Sequence, residues 1–390
     1  MKLRLAPLFA ACTLAFATCL ASLASARTPL ATNIAGVPAR RLAHLTRGVN
    51  LSGWFNYIWR GDPHTGRHLR HFIGPRDLQL LHRLGLNCVR LPIDPLDVFN
   101  FSPTHRPHLP RRRVADLIAA LSLANKNHLA VMVDIHPDRQ FTRDLKTSAT
   151  ARKHFVQFWK RLSAALKGTN PAMVFFELLN EPNLNPPTWY PLEINLIRTI
   201  QRSAPGFTIV APAARWDNPK DILRMQPWPV QNVIYTFHFY TPHLLTQQGA
   251  NWGYRGWMDI SRLPFPSNPQ VVGAAIKLAT GKLGVSEVMQ YGRRRWTPAK
   301  LADIIARVAA WRNIHRVPVL CGEFGVLRTV SLPGACSHWL TAVRTALEAH
   351  RIGWLLWDYQ SAGYGLCSRK YGHIQPDAAW VKALGLRSLQ

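Results

Sequence analysis

Residues 174–183 read VFFELLNEPN. Val174, Phe175 and Phe176, with Leu178 and Leu179, give the near-continuous apolar run of a strand buried on both faces, as in a parallel sheet covered by helices. Glu177 interrupts that run, and the stretch ends by presenting Asn180 and Glu181 ahead of a proline. A strand that is apolar along its length and polar at its carboxyl end suits a (β/α)8 barrel, where strand C-termini and the following loops form the active face.

The same unit recurs outward in both directions. Strand candidates are LTRGVNL (45–51), NCVRLPI (87–93), LAVMVDIH (129–136), MVFFELLNE (173–181), FTIVAP (207–212), VIYTFHFY (233–240), PVLCGEFG (318–325) and GWLLWDY (353–359). Helical patterns such as RDLQLLHRLG, RRVADLIAALSLANKN and LTAVRTALEAH fall between them. Strands alternating with helices imply a parallel sheet. Eight such units predict an α/β chain with a single closed (β/α)8 TIM barrel over residues 27–390. The alternative, a doubly wound open sheet, lacks a Gly-rich phosphate turn after its first strand. Residues 241–317 are too many for one loop and one helix, so an extended insertion is expected between strands six and seven.

Residues 1–26 read as a secretory signal: Lys2 and Arg4, an apolar stretch, then the small-residue site Ala24-Ser25-Ala26. A single-span anchor is the alternative, and the small-residue end argues against it. No later apolar run reaches roughly 20 residues. The expectation is a secreted or periplasmic monomer with no integral membrane span once the signal is removed. Without Lys2 and Arg4 the chain has 46 Lys+Arg against 20 Asp+Glu, a net charge of +26. Such an excess favours anionic surroundings, including an anionic cell-surface polymer. The runs Arg111-Arg112-Arg113 and Arg293-Arg294-Arg295 are short and scattered and no nucleic-acid motif accompanies them, so nucleic acid is not the expected ligand.

Almost every strand candidate ends on chemistry: Arg90, His136, Asn180 with Glu181, His238 with Tyr240, Glu323, and Trp357. Side chains two apart on a strand share a face. Glu177 therefore shares the face of Glu181, under the active face, where a buried charge needs a partner. Arg90 is the nearest candidate cation. Parity also puts Cys321 and Val319 on the face of Glu323, and Cys88 on that of Arg90. Asn180 has the opposite parity to Glu181, so both can serve one site only if the strand end bends, as strands do beside active sites.

Any one of these residues alone would be read as structural; their coincidence at one barrel end is what carries weight. Two carboxylates without a cofactor motif suit glycoside hydrolysis. Trp54, Trp59, Trp252, Tyr254, Trp257 and Trp357 offer stacking surfaces for sugar rings. A metal hydrolase would want closely spaced ligands such as HExxH, and a serine hydrolase a GxSxG elbow; neither is present. Asp134, His136 and His238 form the remaining metal-ligand possibility, and no metal or cofactor is expected.

The stretches RGVNLSGW (47–54), NCVRLPI, VMVDIHP (131–137), FFELLNEPN (175–183), YTFHFY (235–240), CGEFGV (321–326) and WLLWDY (354–359) together resemble glycoside hydrolase family 5, the cellulase family. The resemblance implies a retaining glycosidase. Glu181 would be the general acid/base and Glu323 the nucleophile, with carboxyl groups about 5–5.5 Å apart. Arg90 and Tyr240 would hold Glu323 as the anion, and His238 would tune Glu181. Asn180 would bond the sugar 2-hydroxyl, His136 would contact substrate or orient neighbours, and Trp357 would floor the sugar site. A polysaccharide is the implied substrate. An endo-acting β-1,4-glucanase is the first expectation, with mannan and other β-glucans behind it, and a catalytically idle carbohydrate-binding barrel as the alternative from another class. On the barrel, Cys88 and Cys321 are expected as interior thiols, and Cys336 and Cys367, in loops after strands seven and eight, as a disulfide.

Overall fold

The computed structural model describes residues 36–58, 65–360, 363–370 and 373–389. The signal reading of residues 1–26 and the aromatic Trp59 lie outside them. Eight strands close in sequence order: β1 (Arg47–Asn50), β2 (Cys88–Ile93), β3 (Ala130–Ile135), β4 (Val174–Glu177), β5 (Thr208–Pro212), β6 (Val233–Phe239), β7 (Val319–Phe324) and β8 (Gly353–Leu356). Every neighbour pair is parallel, and β1 pairs with β8 to complete the ring. The predicted (β/α)8 barrel is present. A two-stranded antiparallel hairpin, β9 (Cys367–Lys370) with β10 (His373–Pro376), was not anticipated.

Two hydrophobic layers follow from strand alternation. Cys88, Ala130, Met132, Phe175, Val210, Ile234, Leu320 and Leu355 pack as one cluster inside the barrel. The opposite-parity residues, among them Val89, Val131, Val133, Phe176, Ile209, Tyr235 and Phe237, belong to the larger cluster between strands and helices. Glu177, two residues beyond Phe175, therefore points into the barrel, as parity predicts.

Parity fails on β7. Leu320 is the interior residue, whereas Val319 and Cys321 lie in the outer cluster. The cause is a bulge: Phe237 pairs with Cys321 and His238 with Glu323, so Gly322 is extra. A bulge residue reverses the faces beyond it, which turns Glu323 inward from a strand that began with its odd-numbered residues outward. Cys321 is thus an outer-layer thiol rather than an interior one.

The predicted Cys336–Cys367 disulfide is not formed; both are free, buried thiols. Cys336 sits in the first turn of helix Pro333–Ala349, beside Ser331 and Arg328, whereas Cys367 opens β9 beside Asp77 and Asp377. The intervening loop carries Cys367 to a different set of neighbours. The insertion after β6 is as long as expected and contains helices Gly273–Leu278, Gly281–Arg294 and Pro298–His315. No helix among the described residues is long and apolar enough to cross a membrane.

Candidate active site

The end of β4 bends as the pairing of Asn180 with Glu181 requires. Leu178 and Leu179 both belong to the outer cluster, so alternation breaks between them. Two anchors hold the break: the Trp159 indole donates to the Leu178 carbonyl (2.9 Å), and the Asn180 N–H to the Ile135 carbonyl (2.8 Å). Glu181 then takes φ +41°. Asn180 and Glu181 consequently both face the barrel mouth.

Arg90 organises the floor of the site. Its Nε and Nη2 donate to the two oxygens of Glu177 at 2.7 and 2.9 Å, a bidentate pair of the kind that is both strong and geometrically specific. Nη2 also reaches Asn180 Oδ1 (2.9 Å) and Asp134 Oδ2 (3.0 Å), and Nη1 reaches Asn50 Oδ1 (3.0 Å) and Glu323 Oε1 (2.5 Å). Burial works against the charge on Arg90. Asp134, Glu177 and Glu323 outweigh it and hold the guanidinium pKa well above its ordinary value. Burial pushes Asp134 up to about 7, with Arg90 opposing and Glu181 adding to the rise.

Tyr240 Oη donates to the second oxygen of Glu323 at 2.8 Å. Glu323 is therefore held on one oxygen by a guanidinium and on the other by a phenol, which fixes the direction in which the carboxylate points. Glu181 is placed differently. Its Oε1 contacts His238 Nδ1 at 2.9 Å, and burial pushes its pKa up to about 7, against the pull of His136 and Arg90. Burial lowers His238 to about 4, so the ring is neutral where Glu181 titrates. Two carboxyls with opposite environments is the arrangement that separates an acid from a nucleophile. A carboxylate oxygen of Glu181, one of Glu323 and a ring nitrogen of His238 lie within 4.8 Å of one another.

His136 Nδ1 lies 2.9 Å from Asp134 Oδ2, which assigns the ring proton to Nδ1 and leaves Nε2 to accept from Asn180 Nδ2 at 3.3 Å. Asn180 is thus fixed at both ends, with its second amide hydrogen left for substrate. Trp357 stacks on His136, with ring centres 5.6 Å apart and planes 19° apart. Trp357, Tyr240 and Trp257 also pack against the buried cluster of Ala250, Leu327 and Tyr364.

Of the other aromatic candidates, Trp257 joins this wall and stacks with His243 (6.1 Å, 7°). Trp252 is 46% exposed on the insertion. Trp54 is not a platform: it is buried, and its indole donates to the Leu69 carbonyl at 2.8 Å. As for metals, the ligand atoms that converge among the described residues are those of Glu181, His238 and Glu323. Asp134 and His136 are engaged by Arg90 and Asn180, and both Glu323 oxygens already have donors, which suits that carboxylate to attack rather than to coordination.

Sequence reading did not single out Asn50, the exposed Tyr57 whose ring lies 6.1 Å from His136, or Trp216 and Asp217 after β5. Asn50 carried a signal, as the last residue of β1. Asp217 carried none, because its place depends on a loop. If Glu181 acts as the acid, activity should fall as pH rises through about 7, where the carboxyl loses its proton. A pH profile of kcat/KM checks this, and Glu181→Gln should remove that limb together with most of the activity on unactivated glycosides, on the order of 10²–10⁴-fold.

The profile of the family described as cellulase (glycosyl hydrolase family 5) matches residues 63–363. Endoglucanase 3 of Fibrobacter succinogenes is 25% identical over 346 residues, covering 82% of this chain and 50% of that protein, so the chain spans about half its length. Endoglucanase C of Acetivibrio thermocellus is 23% identical over 331 residues, covering 81% of this chain and 92% of that protein. Among solved structures, endoglucanase Cel5A of Thermotoga maritima shares the fold with a TM-score of 0.69 at 21% identity, over 88% of this chain and 98% of that one.

Proposed function

Because the chain belongs to glycosyl hydrolase family 5, the cellulase family, we propose that it is a retaining β-glycosidase acting on β-1,4-linked glucan. The observation that carries this reading is the glutamate pair. Glu323 is clamped between Arg90 and Tyr240, and Glu181 is raised to about 7, with carboxylate oxygens of the two within 4.8 Å. That separation suits direct attack on the sugar and leaves no room for a water between carboxylate and anomeric carbon.

In the first step Glu323 attacks the anomeric carbon while Glu181 protonates the departing glycosidic oxygen. In the second, Glu181 as carboxylate takes a proton from water, which attacks the same carbon and releases Glu323. The free amide hydrogen of Asn180 faces the sugar 2-hydroxyl, a contact that strengthens as the ring becomes oxocarbenium-like. Trp357, held flat against His136, supplies the stacking surface. Endoglucanase names among the relatives support β-1,4-glucan as the polymer. Product-length analysis on soluble β-1,4-glucan, mannan and mixed-linkage glucan tests it: short oligosaccharides from the β-1,4-glucan support the reading, and release from mannan alone would replace the substrate while leaving the chemistry in place.

The excess of basic residues supports a second reading, that the enzyme adheres to an anionic polysaccharide through its surface. Such binding is screened by salt. Retention on an immobilised acidic polysaccharide should fall steeply between low and high ionic strength, and retention that stays flat would remove the idea.

A further inference from the structure

The least explained polar atoms in the barrel lie behind His238, on the side away from the glutamates. Residues 215–217, in the loop after β5, all have positive φ (58°, 73° and 51°), three consecutive side-chain-bearing residues in the left-handed region. Such a run persists only where its surroundings enforce it, and strain of this kind gathers at functional sites. Here the N–H of Arg215 donates to the Leu184 carbonyl and that of Trp216 to the Pro182 carbonyl, which ties the loop to the segment after Glu181. The Asp217 carbonyl accepts from the His238 N–H at 2.6 Å, and Asp217 Oδ1 accepts from the Ala213 N–H at 2.6 Å.

The other oxygen, Asp217 Oδ2, is buried with no hydrogen-bond partner among the described residues, and so are His238 Nε2 and Thr236 Oγ1. Asp217 Oδ2 lies 3.8 Å from His238 Nε2. Gly322 keeps this space open: a Cβ there would stand 2.7 Å from Thr236 Oγ1 and 3.2 Å from His238 Nε2. The β7 bulge that turns Glu323 inward thus also leaves room at the back of His238.

We propose that Asp217 is a positioning residue for the acid/base: protonated on Oδ2, it donates to His238 Nε2 and so fixes the ring tautomer that donates from Nδ1 to Glu181 Oε1. The inference rests on Glu181 being the general acid. With Nδ1–H directed at Oε1, the acid proton is confined to the other oxygen, which is free to face the leaving group, and the carboxylate left after transfer keeps its donor. In the opposite tautomer the bare Nδ1 would draw the Glu181 proton to itself. Burial, with Glu177 and Glu181 nearby, holds the Asp217 pKa well above its ordinary value, consistent with a carboxyl that keeps its proton. The groups facing His238 are Glu177 and Glu181 from β4 and its end, Glu323 from β7, Arg90 from β2, His136 from β3, and Asp217. The contact at 3.8 Å is long for a hydrogen bond, as catalytic contacts often are until substrate is bound.

The test uses the dependence on leaving group. Cellotetraose needs protonation of its departing oxygen, whereas 2,4-dinitrophenyl β-cellobioside leaves without it. In Asp217→Ala, kcat/KM for cellotetraose should drop about tenfold to a hundredfold, with little change for the aryl glycoside. Asp217→Asn, whose amide N–H can replace the carboxyl donor and whose oxygen still accepts from Ala213, should recover most of the loss. Equal losses on both substrates, full activity in Asp217→Ala, or an Asn variant as impaired as the Ala variant would each overturn the proposal. Should Asp217→Ala not fold, ring ¹⁵N shifts of His238 in the native enzyme decide it: Nδ1 protonated with Nε2 bare supports the proposal, and the reverse refutes it. Glu181→Ala, run in parallel, separates the two levels: if it shows no leaving-group dependence, the acid assignment itself fails.

Discussion

Glu323→Ala is expected to lower turnover of β-glucan by on the order of 10⁴-fold or more while leaving ligand binding largely intact. The loss should be large because no neighbouring group can substitute. Tyr240 Oη and Arg90 Nη1 meet at this carboxylate and aim it, and neither is a nucleophile at neutral pH. The variant should also fold, since Arg90 keeps its bidentate partner Glu177 and its contact with Asp134. Truncation opens space on the attacking face that a small anion can enter. Added azide should therefore restore part of the turnover on an aryl glycoside and yield the α-glycosyl azide, since attack comes from the side Glu323 occupied. A variant with wild-type turnover, or one rescued with the β-azide, would remove Glu323 from the nucleophile's role. An idle carbohydrate-binding barrel would show binding in both proteins and turnover in neither.

Arg90→Leu is expected to have the largest effect on stability. Arg90 is fully buried and is the cation shared by Asp134, Glu177 and Glu323. Removing one member of a buried ionic cluster leaves uncompensated charge and costs about 3–5 kcal/mol. The sign with pH follows from the carboxyls. Burial raises Asp134 and Glu177, and Arg90 opposes the rise in both. Without Arg90 their folded-state pKa values climb further above the unfolded ones, so both can fold protonated at low pH, and stability is lost as pH rises. Native Asp134 keeps its proton up to about pH 7, so the two proteins lose stability in parallel below that pH. The deficit should widen above about pH 7, where the native carboxyl ionises beside Arg90 and the variant's has no cation to ionise against, measurable by urea unfolding at about pH 6 and about pH 9. A deficit independent of pH would mean that packing, and not charge, is what Arg90 supplies. Activity should fall as well, because Asn180 and Glu323 both lose their shared donor.

Much of the fold and most of the candidate site were legible in the sequence because barrel chemistry sits at strand ends, and apolar runs mark those ends. Arg90, His136, Asn180, Glu181, His238, Tyr240, Glu323 and Trp357 could all be singled out that way. Alternation alone placed Glu177 inside the barrel beside Arg90 and demanded a bend at Asn180. The same rule failed at Cys321, because a bulge at Gly322 adds one residue to the count, and nothing in VLCGEFG separates a bulge from a regular strand. Trp54 was misread because an exposed and a buried tryptophan look alike until the helix carrying Leu69 packs over one of them. The Cys336–Cys367 pairing assumed that loops adjacent in order are adjacent at their thiols. Asp217 and Trp216 were invisible because a left-handed run over Arg215, Trp216 and Asp217 contains no glycine to announce it. The loop after β5 thus reaches the acid/base from behind with residues whose spacing resembles no motif.

Stereochemistry tests the central claim most directly, since it follows from carboxylate separation and from two successive inversions at one carbon. Proton NMR of the anomeric region during the first minutes of cello-oligosaccharide hydrolysis, before mutarotation, should show the β-anomer as the first product. Initial release of the α-anomer would mean single displacement by water, and would contradict the assignment of Glu323 as a nucleophile within 4.8 Å of its acid partner.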